Sequence, residues 1–331
     1  MKKKSRVVVI TGASAGVGRA TAKEFAKHGD RILLIARGRD GLLGAKREVE
    51  DAGGHAWIYE ADVSNPDQME EAATFAEENI GPIDIWINNA MVSVFSKAID
   101  MTPEEYKRVT DVTYLGQVYG TLAALRKMKE RNYGKIILIG SALSYRGIPL
   151  QSAYCASKHA IQGFFESLRA ELLHDHIDVD LSIVHLPAMN TTQFGWVKTR
   201  FGRKPKPMGK IFQPEVAARV VAEVAETGER LRMVGFSTVQ TVWGNKLVPE
   251  YLDHYMAKNG IEGQLTQEPE DPDRKNNLWE PVPGDQGTHG DFNEEAQNYS
   301  VYDLIVENRG SLLLLAGAIF GGALLSSFKG D

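Results

Sequence analysis

The 331-residue chain is 43% apolar and 24% charged with a formal net charge of −5, the balance of a globular protein long enough for one large α/β core or one domain plus an appendage. The absence of a strongly basic surface excludes a nucleic-acid partner held by its phosphates. A single cysteine, Cys155, excludes an internal disulfide and, with no metal-ligand spacing around it, fits a reducing, cytoplasmic compartment, a buried structural thiol and no metal site.

MKKKSRVVVI starts with basic residues, but its apolar run stops after Ile10, short of the roughly 7 to 15 residues of an export signal's core, so it predicts a first strand. Further runs rich in Val and Ile predict strands near Arg31–Ala36, Ala56–Glu60, Ile83–Asn88, Lys135–Gly140, Asp178–His185 and Leu231–Val234, separated by helical patterns. That alternation specifies βαβ units around a parallel sheet covered on both faces. Thr102 before Pro103, Glu104 and Glu105 marks one helix start, and Pro214 with Glu215 another.

Directly after the first strand comes TGASAGVG, residues 11–18, followed by a helix pattern. Gly12, Gly16 and Gly18 permit a tight turn, and the amides of Ser14, Ala15 and Val17 lie beside them at a helix N-terminus. This is the arrangement that receives a dinucleotide pyrophosphate. Cofactor choice rests on the end of the second strand, LLIARGRD, where Ala36 and Arg37 stand in place of an acid. NADP is expected over NAD, although Asp40 nearby could serve a ribose hydroxyl, Ala15 adds no second cation, and Arg37 and Arg39 are also what a solvated loop would carry.

Ser141 follows the strand KIILIG and so falls at the carboxyl end of the sheet, where such folds hold their ligands. Thirteen residues later YCASK places Tyr154 and Lys158 one helical turn apart among small neighbours. An ammonium there is expected to lower the phenol's pKa so that Tyr154 exchanges a proton with a carbonyl oxygen that Ser141 holds. Alone, this spacing is common on solvated helices. Its meaning comes from Ser141 and the glycine turn.

The segment 190–212 has six basic residues and no acid, with Phe194, Trp196 and Phe201 as apolar candidates for the lining of a lid. Its charge predicts an anionic substrate, contact with anionic lipid headgroups, or only a solvated loop. From Thr266 to Asp303 ten acids stand against two bases, with four prolines, as in a linker or an extended strap in which Trp279 could pack on the domain. Residues 310–328 contain no charge. As a helix, Leu312–Phe328 would extend about 26 Å, just short of a bilayer core, so 310–329 is expected to be a membrane anchor, with helix packing on the enzyme or a partner subunit as the alternative. Gly317 and Gly321 share a face that would suit close pairing.

In motif order, TGASAGVG, Asp62-Val63, NNA at 88–90, Ser141, YCASK and LPA at 186–188, the chain resembles the short-chain dehydrogenase/reductase family over about residues 5–250. The resemblance implies a Rossmann-type doubly wound fold over residues 1–265 and a homodimer or homotetramer. It also implies that Asp62 and Val63 hold adenine, that Asn89 and Ala90 line the adenosine side, that Lys158 bonds the nicotinamide ribose, and that Pro187, Ala188 and Thr191 border the nicotinamide. Met91 and Ala188 stand where most members have glycine, and Thr113 replaces the asparagine that anchors a water in the proton relay. The expected function is an NADP-preferring oxidoreductase acting between a ketone or aldehyde and a secondary alcohol, with an apolar, lipid-like substrate. Dehydratase or epimerase chemistry is a lesser option. The alternative of another class is a membrane-tethered nucleotide-binding scaffold or redox sensor with little turnover.

Overall fold

The computed structural model describes residues 5–308. Seven strands form one wholly parallel sheet: β1 Val7–Thr11, β2 Arg31–Ala36, β3 His55–Glu60, β4 Ile85–Asn88, β5 Gly134–Ser141, β6 Val179–Leu186 and β7 Leu231–Met233, in the spatial order β7-β6-β5-β4-β1-β2-β3. These are the seven strands expected from the sequence, with ends shifted by at most two residues. The order reverses direction between β1 and β4, so their carboxyl ends splay apart and open a crevice there.

Both faces are buried, which is why β1 reads as an unbroken apolar run. Val7 and Val9 point into a core shared with helices α3 Pro66–Asn79, α5 Gly116–Glu130 and α6 Ser152–His174, whereas Val8 and Ile10 point into one shared with α1 Gly16–Ala26, α2 Arg39–Asp51 and α7 Pro214–Thr227. Local signals set several helix ends. Asn65 accepts from the amides of Asp67 and Gln68 ahead of α3, and Thr102 forms a reciprocal capping box with Glu105 at the start of α4 Pro103–Thr110. Residues 111–115 pass from that helix into α5 through one π-helical turn, a device that bulges a helix near functional sites.

Four short pairings stitch the lid to the body. Val94–Phe95 pairs with Lys198–Thr199, Ala188–Met189 with Ile211–Phe212, and Arg203–Pro205 with Leu265–Pro269, while Phe212 also bridges Gln297. Beyond Pro269 the chain runs irregularly but packed along the domain. Leu278 is fully buried in the same apolar cluster as Val63, Val92 and Val109. The helix Val301–Glu307 then packs on Gly235–Leu247, where Asp303 accepts from the Gly235 amide at 2.9 Å.

Among the described residues no helix is long and apolar enough to cross a membrane. The expected anchor at 310–329 lies outside the described residues.

Because Leu278 fills the core although it belongs to the extension, Leu278→Ala should lower the free energy of unfolding by about 2–5 kcal/mol, read from urea titration. A change within about 0.5 kcal/mol would mean that the extension adds nothing to the core.

Candidate active site

The glycine turn is held by tight backbone packing. Gly12 has φ +66°, and a Cβ there would sit 2.7 Å from the Ala90 Cα; one on Gly18 would sit 2.3 Å from the Gly12 carbonyl oxygen. Asn89 fastens the turn to β4, its side-chain amide donating to the carbonyls of Thr11 (3.0 Å) and Gly12 (3.2 Å). The Thr11 hydroxyl in return accepts from the amides of Asn89 and Ala90.

One cavity of about 650 Å³ runs along the carboxyl edge of the sheet. Its floor begins at Gly12, Ser14, Ala15, Gly16 and Val17 and extends past Arg37, Asp62, Val63, Asn89 and Ala90. It continues to Ser141, Tyr154 and Lys158, with Pro187, Ala188 and Thr191 along the side. Gly18 lies beneath the turn and acts through its close packing instead. The volume lies within the roughly 300–1,000 Å³ of ligand sites, and the glycine turn at one end fits a pyrophosphate.

At the far end, Ser141 is the last residue of β5. Its hydroxyl accepts from the Leu143 amide at 3.1 Å, and it lies near enough to Tyr154 to pull that phenol's pKa downward. Lys158 is 1% exposed, its ammonium 5.5 Å from the Tyr154 ring centre and donating to the Ile139 carbonyl at 2.5 Å. Burial brings the Lys158 pKa down to about 7. The expected lowering of the phenol is not seen. Burial pushes Tyr154 above the ordinary tyrosine value and outweighs the downward pull of Ser141, because removal from water penalises phenolate more than one hydrogen bond repays.

Behind this group His185 is wholly buried, with Nδ1 3.1 Å from the Ser141 carbonyl and Nε2 3.3 Å from the Tyr145 hydroxyl. Burial lowers its pKa to about 4, so the ring is neutral, Nδ1 donates to Ser141 and Nε2 accepts from Tyr145. Sequence reading missed this histidine because nothing local marks it. Cys155 is buried and its thiol is pushed up to about 11, so it is inert at neutral pH.

Several site expectations change. Thr113 is fully buried and does not line the cavity; its hydroxyl donates to the Val92 carbonyl (2.8 Å) and accepts from the Val92 amide (3.1 Å), so it fastens a loop where a relay role was expected. Asp40 accepts from the Gly284 amide at 3.0 Å. Phe201 packs against the cluster of Phe95, Leu150, Phe194 and Val197 under the lid, whereas Phe194 and Trp196 do line the cavity. The lid's positive charge is largely neutralised within the molecule, since Lys198 and Arg200 meet Glu105, Arg203 meets Glu262 and Lys204 meets Glu268. Of the lid's other cations, Lys210 lines the cavity, its ammonium 5.6 Å from the Phe212 ring centre.

Against this geometry, a model of the short chain dehydrogenase family matches residues 6–199. The chain belongs to that family. It is accordingly an NAD(P)-dependent dehydrogenase or reductase. An uncharacterized oxidoreductase of Bacillus subtilis is 32% identical over 87% of this chain and 82% of its own length, and a 3-dehydrosphinganine reductase of Danio rerio is 32% identical over 67% and 68%. Among solved structures, an alcohol dehydrogenase of Thermococcus sibiricus complexed with 5-hydroxy-NADP superposes with TM-score 0.61 at 25% identity, covering 70% of this chain and 95% of that one. A metagenomic short-chain oxidoreductase in complex with NADP gives TM-score 0.60 at 27% identity, over 71% and 98%.

Glu105 is nearly buried between two lid cations. Burial would raise its carboxyl, but Arg200, Lys198 and the Thr102 amide outweigh this and hold it at about 2 against 4.5 when free. The stabilisation is present above pH 4.5 and is lost as pH falls towards 2. Glu105→Gln should therefore be less stable than wild type near neutrality, and that deficit should shrink from pH 5 to pH 3 in urea unfolding. A deficit independent of pH would show that the ion pairs contribute nothing.

Proposed function

We propose that the protein is an NADP-preferring reductase or dehydrogenase that interconverts a ketone or aldehyde and its alcohol, acting on an apolar, lipid-like substrate. One observation carries the reading: Ser141, Tyr154 and Lys158 converge at one end of a single cavity whose other end is the glycine turn. NADP fits the residues present, with Gly12 to Val17 at its pyrophosphate, Arg37 near the 2′-phosphate and Lys158 near the nicotinamide ribose. When bound it supplies or takes the hydride.

The remaining chemistry belongs to this chain. A carbonyl oxygen seated between Ser141 and Tyr154 would accept hydrogen bonds from both hydroxyls, which stabilise the negative charge that grows there during reduction. Tyr154 keeps its proton at neutral pH and can give it to that oxygen. The phenolate left behind draws a proton from Lys158, whose pKa of about 7 makes it a donor poised near working pH. Reversing these transfers serves oxidation. His185 keeps the Ser141 backbone in register and takes no proton.

Arg37 at the end of β2, with Ala36 before it, supports NADP, as do the NADP complexes of the two solved neighbours. The substrate class is supported by Ile148, Phe194, Trp196, Met208 and Met256 around the catalytic end, and by the relatives whose names are 3-dehydrosphinganine reductase and 3-ketodihydrosphingosine reductase.

Incubation with NADPH and a series of ketones of rising chain length should show turnover that improves with apolar length. Tyr154→Phe should lower kcat by about 10²–10⁴ while NADPH binding, followed by fluorescence, persists. Cofactor binding with no turnover above the Tyr154→Phe background would overturn the enzymatic reading. For cofactor choice, Arg37→Ala should weaken NADPH relative to NADH by about 10- to 100-fold, the worth of a charge-assisted hydrogen bond; an unchanged ratio of their dissociation constants would remove Arg37 from that role.

A further inference from the structure

The extension beyond Pro269 lies outside the matched family segment, 6–199, yet it crosses the cofactor end of the cavity. It leaves the lid where Arg274 donates to the carbonyls of Phe194 (2.7 Å) and Val197 (2.6 Å) and the Asn277 amide donates to Trp196. Leu278 anchors it in the core, and Arg37 grips it from the opposite bank, donating to the carbonyls of Asn277 (2.5 Å) and Trp279 (2.6 Å). Pro281 then comes against Gly38. Gly284 donates to Asp40, and Asp285 pairs with the buried Arg19 of α1. The Gly287 carbonyl accepts from the Gly16 amide of the glycine turn at 3.3 Å, and the chain returns to the lid at Gly290 and Phe292, which bond Asn190.

The side chains on this path are sorted by charge. The segment adds Asn277, Pro281, Val282, Gly284 and Gln286 to the cavity wall, all uncharged, while its acids in that stretch, Glu280 and Asp285, stay out of the lining. Asp285 faces Arg19, with Arg47 at 3.8 Å. An acidic segment laid at random over a site for a polyanion would repel it. Here Asp285 is turned to Arg19, Glu280 lies near enough to Arg37 to act on its charge, and the strap residues that line the cavity are neutral.

We propose that residues 277–287 are part of the dinucleotide site, a strap whose neutral face closes over the adenosine and pyrophosphate half of NADP and must lift before the cofactor can leave. The inference rests on the NADP reading above. It makes residence of the cofactor depend on contacts outside the family segment, and it places Arg37 in a double role, holding the strap through two carbonyls while lining the cavity beside the expected 2′-phosphate.

A reversible cross-link tests this in the full-length protein. A Cβ on Gly38 would lie 3.2 Å from the Cβ of Pro281, within a few tenths of an ångström of the about 3.5–4.5 Å of a disulfide. The buried Cys155 does not compete. The double variant Gly38→Cys/Pro281→Cys is loaded with NADPH while reduced and then oxidised, cross-linking is verified by thiol titration, and release is followed by NADPH fluorescence after dilution into excess NADP. Oxidation should slow release by about 100-fold or more, with reduction restoring it, because a lid that cannot open makes release limiting. In parallel, Pro281→Gly/Val282→Gly loosens the strap without a cross-link and should speed release about tenfold. Equal release from oxidised and reduced protein, or an unchanged rate in the glycine variant, overturns the strap while leaving the NADP reading intact. If wild type itself fails to bind NADPH, the parent reading fails.

Discussion

The active-site end depends on one costly placement, an ammonium with almost no contact with water beneath a tyrosine ring. Lys158 can stand there because the β5 backbone offers the Ile139 carbonyl at 2.5 Å, a carbonyl that also receives the Gln117 side chain at 3.1 Å. Removal from water lowers the lysine and raises the phenol, so both groups favour their neutral forms. The pair thus rests with a protonated tyrosine beside an amine close to half-titrated at neutral pH. In the proposed reaction that would make a proton donor with its own resupply, reached by burial and not by the simple attraction that the four-residue spacing suggests.

Ser141 belongs to the same construction. It closes β5 and caps the turn that follows, and its carbonyl is held by a neutral His185 that Tyr145 orients in turn. The room for this ring comes from Gly140, where a Cβ would lie 2.4 Å from the His185 Nδ1. A similar economy of volume governs the other end of the cavity. There Gly12 and Gly18 let β1 and α1 approach β4 until Asn89 can bond the turn directly. Both ends of the site therefore rest on backbone approaches that a single methyl group would block.

The sheet and most of the site residues were legible because their signals are local. Parallel strands buried on both faces write themselves as apolar runs, the glycine turn follows the first of them, and Tyr154 and Lys158 sit one turn apart on one helix. What was illegible depends on partners distant in the chain. Thr113 looks like a relay residue until Val92, 21 positions away, takes its hydroxyl in both directions. Phe201 looks like lining until the cluster around Phe95 and Leu150 draws it under the lid. The two- and three-residue lid strands carry no periodicity, since their pairing is set by where the lid lands.

Charge shows the same limit most clearly. Taken separately, 190–212 is a basic loop and 266–303 an acidic one, and each invites an outside partner. In the folded chain most of the lid's cations meet acids of the same molecule, and some of the strap's acids meet its cations: Lys204 faces Glu268, Arg203 faces Glu262, Lys198 and Arg200 share Glu105, and Asp285 reaches Arg19. Most such pairs at the surface contribute little stability, but they offset much of the charge each segment carries when read alone. Phe194, Trp196 and Met208 line the cavity beside the charge that remains there, Arg146 and Lys210. On the proposed reading such a wall would favour a substrate by its apolar shape, while Arg37 would meet the cofactor's charge.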